Sequence, residues 1–505
     1  MKKWKSVTEV HEHALSAVDK PIKSLVLSET LAKYELSPQN KGWIGNAIEN
    51  DWFGIPNNNR NEADIPYLGL EIKVTPIKKT KNGWSAKERL VLNIFDFHEE
   101  YKKDFLNSSF LKKANLIEMM YYEFISGKPS PDLVIKAATL LNLHDLPEED
   151  ILIIEQDWNI IVEKIKAGKA EELSDSLTKY LGATTKGSKS EKNMTTQPFS
   201  DAKAHRRSFT LKGSYMSQVA RKVMSQEKEQ SEKVIKNTKE LKTKSFEEVL
   251  TDKFKPFLGK SKVELAELFN VHISTKDDKA SSAILAKKML NLNSNIQDTE
   301  EFKKADISVK IVTVETGKKK TTEGFKVLIP NQNTIDPELL IEEEWETSLL
   351  NEYLSNYQFM LVIFEKKEEE TIFKGIKFWH IPYKDLQCDI RNTWEETKRV
   401  FQEGLTLRYN KRSKPTSTGK TYYIENNLPK QSSTTVLHVR PSAGVSKYFD
   451  DGINVMRLPI RSKWINRPNH LMGELTDYYI TKQAWWLNKD YMYSQVKEFF
   501  SLQLD

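Results

Sequence analysis

An aspartate, six residues of spacer and a Glu-x-Lys tripeptide lie within "EADIPYLGLEIKVTP", residues 62–76. In an extended strand, side chains two apart share a face, so Glu71 and Lys73 project together while Leu70, Ile72 and Val74 point the other way, toward a core. Asp64 can return to the same edge if the chain turns at Ile65-Pro66 or near Gly69. Two carboxylates and an ammonium then converge. Carboxylate oxygens hold hard cations such as Mg2+, a held cation acidifies a bound water and stabilises a crowded phosphate, and a lysine beside it can orient that water. This is the chemistry that phosphodiester hydrolysis requires.

The flanking segments must position this set. Upstream, "NKGWIGNAIENDWFG" reads as a helix with Ile44, Ala47 and Ile48 buried and Gly54 beyond its end, which leaves Glu49 as a third acid able to face the site. Downstream, "FLNSSFLKKANLIEMMYYEF" runs from a polar, lysine-bearing turn into a strand. The histidines of "VHEHAL", His11 and His13, read as surface polar residues on a helix rather than a metal pair.

The 505 residues exceed one ordinary core, and 38% hydrophobic residues with eleven tryptophans supply packed domains. No apolar run approaches the roughly 18 residues of a membrane span, and the N-terminus lacks the apolar region of a secretory signal, so a cytoplasmic protein is expected. The single cysteine, Cys388, can build neither an internal disulfide nor a thiolate metal site and is expected as a core filler. A net charge of +6 is mild, but its distribution is not. Residues 183–222 carry nine Lys or Arg against Glu191 and Asp201, and residues 405–423 carry five basic residues and no acid. Both stretches are rich in Ser, Thr and Gly and read as basic loops able to follow a phosphate backbone.

A lysine- and glutamate-rich stretch after residue 225 reads as a connector, giving domains at 1–225 and 246–505 joined by a charged linker at 226–245. The two sides echo each other. Trp158 precedes Gly168, and Trp394 precedes Gly404, by ten residues on an amphipathic helix, each after an alternating strand and before a basic loop. Near the ends come "LKGSYMSQV" and "LNKDYMYSQV". Four matches in one order suggest a duplicated domain. Without regular βαβ alternation or Gly-rich turns, each half is expected to be α+β, a mixed sheet flanked by helices.

In order, "KGWIGNAIE", "AD", "LGLEIKVTPI", "FLNSSFLKK", "DW", "EELSDSLTKYL" and "LKGSYMSQV" resemble the hallmarks of the MutH-type endonucleases, whose catalytic core is the PD-(D/E)xK nuclease fold and which cleave at GATC. The whole chain resembles the tandem-domain restriction endonucleases of that type. The resemblance implies a Mg2+-dependent type II enzyme acting on double-stranded DNA. Asp64 and Glu71 would hold the metal with the Ile72 carbonyl, Glu49 would complete the metal site or orient Lys73, Lys73 would position the attacking water, and Lys113 would stand against the scissile phosphate. It also implies DNA contacts at Lys41 and Gly42, a base-reading loop beginning at Lys186, a DNA-proximal Tyr215, and phosphate contacts at Arg206, Arg207 and Lys212. One departure is plain: the Arg-Pro pair that the family carries just before this loop is Thr184-Thr185 here, whereas Arg440-Pro441 stands in the second half.

In the second half "FKKADISVKIVTV" keeps Lys310 opposite Lys73 but has Ser308 opposite Glu71, so a degenerate DNA-binding effector domain is expected, holding DNA partly through Arg440. The resemblance further implies a protein that is monomeric when free and able to pair on DNA, with a cognate methyltransferase in the same system. Two other readings compete: a nicking endonuclease of repair, and a DNA-binding regulator with an inactive nuclease fold.

Overall fold

The computed structural model describes residues 3–36, 42–56, 62–80, 83–187, 193–225, 231–273, 279–330, 332–368, 370–416 and 419–500. They form two compact units, residues 1–253 with 287–309, and residues 254–286 with 310–505.

In the first unit helix α1 (Val7–Leu15) starts where the Ser6 hydroxyl accepts the Glu9 N–H, and it buries Val10 and Ala14. A short helix α2 (Trp43–Ala47) runs into a π turn at Ile48–Trp52 that carries Glu49. The chain then makes a 3-10 turn at Pro66–Leu68 and reverses at Gly69, whose φ of +61° suits a residue without Cβ. Strand β1 (Glu71–Thr80) follows, then β2 (Gly83–Ala86) and β3 (Leu90–Phe95). Helix α3 (Ser109–Ala114) takes the place of the expected polar turn and leads into β4 (Leu116–Glu123) and β5 (Ile135–Asn142). These strands form a mixed sheet in the order β2-β1-β4-β5, with β1 parallel to β4 and antiparallel to β2. Strand β1 is paired along both edges, and both of its faces are covered as well: Ile72 and Leu70 join a core with Val10, Ala14, Ile44 and Ile48, while Glu71 is buried on the other face.

Helix α4 (Glu148–Lys166) packs Ile153, Ile154, Trp158, Ile161 and Ile165 inward. It ends before Gly168, as its sequence predicts; φ there is +67°, and a Cβ would press into the Phe199 carbonyl. Strands β6 (Leu181–Thr185) and β7 (Arg207–Leu211) then join β3 in a second sheet of order β3-β7-β6, followed by α5 (Gly213–Met224). The Asp157 carboxylate of α4 accepts the N–H groups of Lys179, Tyr180 and Leu181 at 2.7, 2.6 and 2.9 Å, pinning the start of β6 to the helix.

Residues 226–230 of the expected linker lie outside the described residues, and the rest of it does not hang free. Val234 and Ile235 are buried and donate their N–H groups to Glu301 at 3.0 and 2.9 Å, and Leu241 is buried as well. A few apolar residues among many lysines suffice to fix the segment, so the first unit extends to residue 253 rather than 225.

In the second unit β8 (Ile307–Glu315), whose residues from Lys310 belong here, pairs in the order β8-β10-β11 with β10 (Gln358–Lys367) and β11 (Glu370–Trp379). The two-residue β9 (Phe325–Lys326), β12 (Leu437–Pro441) and β13 (Gln483–Leu487) form a sheet of order β9-β13-β12. Helix α6 (Arg391–Glu403) buries Trp394 and Phe401 and gives way at Gly404, and α7 (Lys489–Ser494) follows β13. Cys388 is exposed on the π turn Leu386–Ile390 and fills no core, because that turn rotates it outward while Leu386 and Ile390 take the buried positions. Among the described residues no helix is long and apolar enough to cross a membrane.

Candidate active site

Four of the five expected site groups are tied to one point of β1. The Asp64 Oδ2 accepts the Ile72 N–H at 2.9 Å, so the turn through Gly69 folds the aspartate back onto the strand beside Glu71. Lys73 Nζ lies 2.5 Å and Lys113 Nζ 3.5 Å from Glu71 Oε1. Lys113 arrives from the last turn of α3, directly before β4, the parallel neighbour of β1. Glu49 approaches from the π turn, close enough for its charge to be felt at Lys73.

The electrostatics follow from burial. The Glu49 carboxyl rises from 4.5 to about 7, first because it is desolvated and further because Asp64 and Glu71 repel its charge, with Lys73 opposing. Burial also raises Glu71, against the pull of Lys73. For Lys73 burial acts downward, but Glu71, Asp64 and Glu49 outweigh it and the amine is held above its ordinary value, hence charged. An acid raised on folding binds its proton more tightly when folded than unfolded. The stability associated with Glu49 is therefore full below 4.5 and is lost as pH rises through about 7. Glu49→Gln is thus expected to raise the melting temperature of the metal-free protein by a few degrees at pH 8 and to leave it unchanged near pH 4.5. A thermal melt in chelator at both pH values checks this, and equal shifts at the two would refute it.

Glu71 is 0% exposed, and its Oε2 has no hydrogen-bond partner. A buried carboxylate oxygen left open beside a second carboxylate fits a hard divalent cation. Among the described residues no three His, Cys, Asp or Glu side chains form a ready cage. Asp64 and Glu71 are the two acids that could hold such an ion, with its remaining positions left to other oxygens such as water.

The expected DNA contacts divide. Lys41 lies outside the described residues. Gly42 is exposed at the start of α2, and Lys186 and Arg206 are exposed at the mouth of the basic loop, joined by Lys186 N–H to Arg206 O at 2.8 Å. Arg207, Lys212 and Tyr215 are instead inside the unit, 8%, 6% and 1% exposed. The Arg207 guanidinium donates to the Ala183 carbonyl, the Lys212 amine to Thr178 O, and the Tyr215 hydroxyl to Asp150 Oδ2. Burial drops the Lys212 amine to about 8. These three hold β6, β7 and α4 together, because the polar ends of long side chains reach buried carbonyls and carboxylates. Arg440 is exposed on β12 with its guanidinium 4.7 Å above the Trp486 ring.

The two histidines are not idle surface groups either. His11 Nδ1 is 2.9 Å from Glu118 Oε2, and His13 stacks on Trp52 at 4.4 Å, so they fasten α1 to β4 and to the π turn. Asp150, Asp157 and Asp175, which organise the second sheet, escaped the sequence reading because their partners lie 22 or more residues away.

A mixed sheet with a Glu-x-Lys pair on an internal strand and an aspartate folded back beside it is the arrangement of a MutH-like nuclease domain, and the family described as DNA mismatch repair enzyme MutH matches residues 53–157. That span contains Asp64, Glu71, Lys73 and Lys113 and begins just after Glu49. Over 27% of its length the chain is 26% identical to 58% of the DNA mismatch repair protein MutH of Shewanella amazonensis. It is 36% identical to the type II restriction enzyme Sau3AI of Staphylococcus aureus, across 99% of this chain and 100% of that one. The chain belongs to the family of type II restriction enzymes that includes Sau3AI, and it is a site-specific deoxyribonuclease.

Proposed function

We propose that the chain hydrolyses double-stranded DNA at GATC with Mg2+, that its first unit cuts, and that its second is a degenerate copy binding a further GATC as an effector. The observation that carries the catalytic assignment is the buried Glu71 with one open oxygen, held between Lys73 and Lys113 next to Asp64. Bound there, Mg2+ supplies Lewis-acid stabilisation of the phosphate and an acidified water. Asp64 and Glu71 hold it, and Glu49 contributes its carboxylate once that proton is released. Lys73, kept charged by the three acids, orients the water, and Lys113 faces the charge developing on the phosphate.

Several features support a duplicated origin. Taken in chain order, the strands β1-β4-β5 and β8-β10-β11 have the same neighbours, as do β3-β7-β6 and β9-β13-β12. The Tyr491 hydroxyl donates to Asp385 at 2.8 Å as Tyr215 does to Asp150, each aspartate standing ahead of the helix tryptophan. The spacing is one residue longer in the second unit, which its π turn absorbs. Loss of chemistry is equally physical. Burial and the neighbouring Lys279 lower the Lys310 amine, whereas acids raise that of Lys73. With Ser308 in place of a glutamate there is no second carboxylate on the strand to hold a cation.

The expected setting is the cytoplasm, alongside a methyltransferase that protects the same site. Plasmids with one and two GATC sites test the proposal. The two-site plasmid should be cut faster, a short GATC duplex should stimulate cutting of the other, and sequenced ends should map to GATC. Equal rates without stimulation would sink the effector role, and ends elsewhere would sink the site.

A further inference from the structure

The second sheets of the two units can be superposed residue by residue through their registers. In the first unit Leu90 of β3 and Leu181 of β6 both pair with Leu211 of β7. In the second, Phe325 of β9 and Leu437 of β12 both pair with Leu487 of β13. Counting from these anchors, Arg89 corresponds to Gly324 and Thr184 to Arg440. The arginine has changed places: one unit carries it before the first strand with a threonine opposite, the other carries it on the last strand with a glycine opposite.

The geometry shows that each arginine reaches across its sheet toward the position that the other occupies in the other unit. Arg89 reaches across the sheet and donates through one terminal nitrogen to Thr184 Oγ1, at 2.8 Å, and to the buried Asp175 carboxylate. Asp175 itself occupies the space that a side chain at Gly182 would need. In the second unit an Arg440 terminal nitrogen lies 3.6 Å from the point a Cβ on Gly324 would occupy. Each unit therefore spans the same cross-strand row of its β3-β7-β6 or β9-β13-β12 sheet with one arginine, Arg89 from the first-strand side to Thr184 and Arg440 from the last strand to beside Gly324. The row thus carries one guanidinium in each unit although its sequence position differs.

We propose that Arg89 is the residue by which the cutting unit recognises a guanine of its site, the counterpart of Arg440 in the second unit. The inference rests on the reading that both units bind GATC. Asp175 neutralises the Arg89 charge, so the pair adds little to phosphate attraction. The same carboxylate fixes the plane of the guanidinium. Among the described residues its Nε and other terminal nitrogen have no partner, which leaves a two-donor edge matched to guanine O6 and N7.

The test is single-turnover cleavage by the full chain with Mg2+ of GATC duplexes containing guanine or 7-deazaguanine, which lacks the N7 acceptor, with an unmodified effector duplex present. Wild type is expected to cut the 7-deaza duplex about tenfold or more slowly, the worth of one lost base-edge bond. Arg89→Lys keeps the cation for Asp175 but not the two-donor edge, and should bring the two rates within about twofold of each other while the melting temperature holds. A wild type indifferent to the analogue, or a variant that keeps the wild-type ratio, overturns the inference. So does a variant that keeps the ratio and only flattens the salt dependence of binding, the mark of a phosphate contact. Should Arg89→Lys unfold, Thr184→Val, which removes one of the two groups orienting the guanidinium, is read against the same outcomes. If wild type cuts the guanine duplex nowhere at GATC, the GATC reading fails and takes this inference with it; cutting there with an unaltered ratio removes the inference alone.

Discussion

Glu71→Gln is expected to lower the rate of GATC cleavage by about a thousandfold or more, the scale of several kcal/mol of metal-derived transition-state stabilisation. The substitution keeps shape and burial but removes the charge that the proposed ion needs from the strand that would hold it. The amide also leaves Lys73 without its counter-charge at 2.5 Å, so the amine loses much of what keeps it protonated. Duplex binding in Ca2+ or metal-free buffer should persist, because the groups proposed to face DNA, Gly42, Lys186 and Arg206, are exposed and lie elsewhere in the chain. Plasmid cleavage, gel-shift binding and calorimetric Mg2+ titration read the three effects separately. Cleavage within tenfold of wild type would falsify the assignment of Glu71 to the metal.

Asp157→Ala should destabilise the first unit by about 3–5 kcal/mol, with its melting transition falling by roughly 10 °C. Removing the buried carboxylate strands three backbone N–H groups, those of Lys179, Tyr180 and Leu181, where water does not reach them. Asp157→Asn retains one acceptor and should recover part of the loss. On the proposed duplication the corresponding residue of the second unit, counted from Trp394, is Thr393, whose hydroxyl donates to the Asp389 carbonyl at 2.9 Å and has no carboxylate to hold three backbone N–H groups. That unit's melting transition should therefore stay where it is. Differential scanning calorimetry of the two proteins separates the transitions, and a shift in both, or in neither, would sink the argument.

The site was legible in the sequence because its chemistry is local. Asp64, Glu71 and Lys73 lie on one turn and one strand, and the helix that runs into Glu49 and the strand that follows Lys113 carry apolar residues that the sequence displays. The strand before each tryptophan helix and the glycine that ends it were legible for the same reason. What misled was the assumption that a basic or aromatic residue near a basic loop faces solvent. Arg207, Lys212 and Tyr215 are drawn inward by carbonyls and carboxylates that are distant in sequence, and no short-range pattern reports those partners. The lysine-rich segment after residue 230 misled in the opposite direction: average composition hid the few residues that anchor it. Arg89 was invisible for a third reason, since its meaning emerges only when the strand registers of the two units are set side by side.

The arginine that spans one cross-strand row from opposite sides in the two units also constrains how the gene can change. Arg89 and Gly324 stand well upstream of Thr184 and Arg440 in their respective halves. Recombination between the halves with a crossover in the intervening stretch would give one product with two guanidiniums crowded onto one sheet and another with none. On the proposed duplication, gene conversion, which keeps duplicated sequences alike, is penalised at this point, and the two halves are left to diverge.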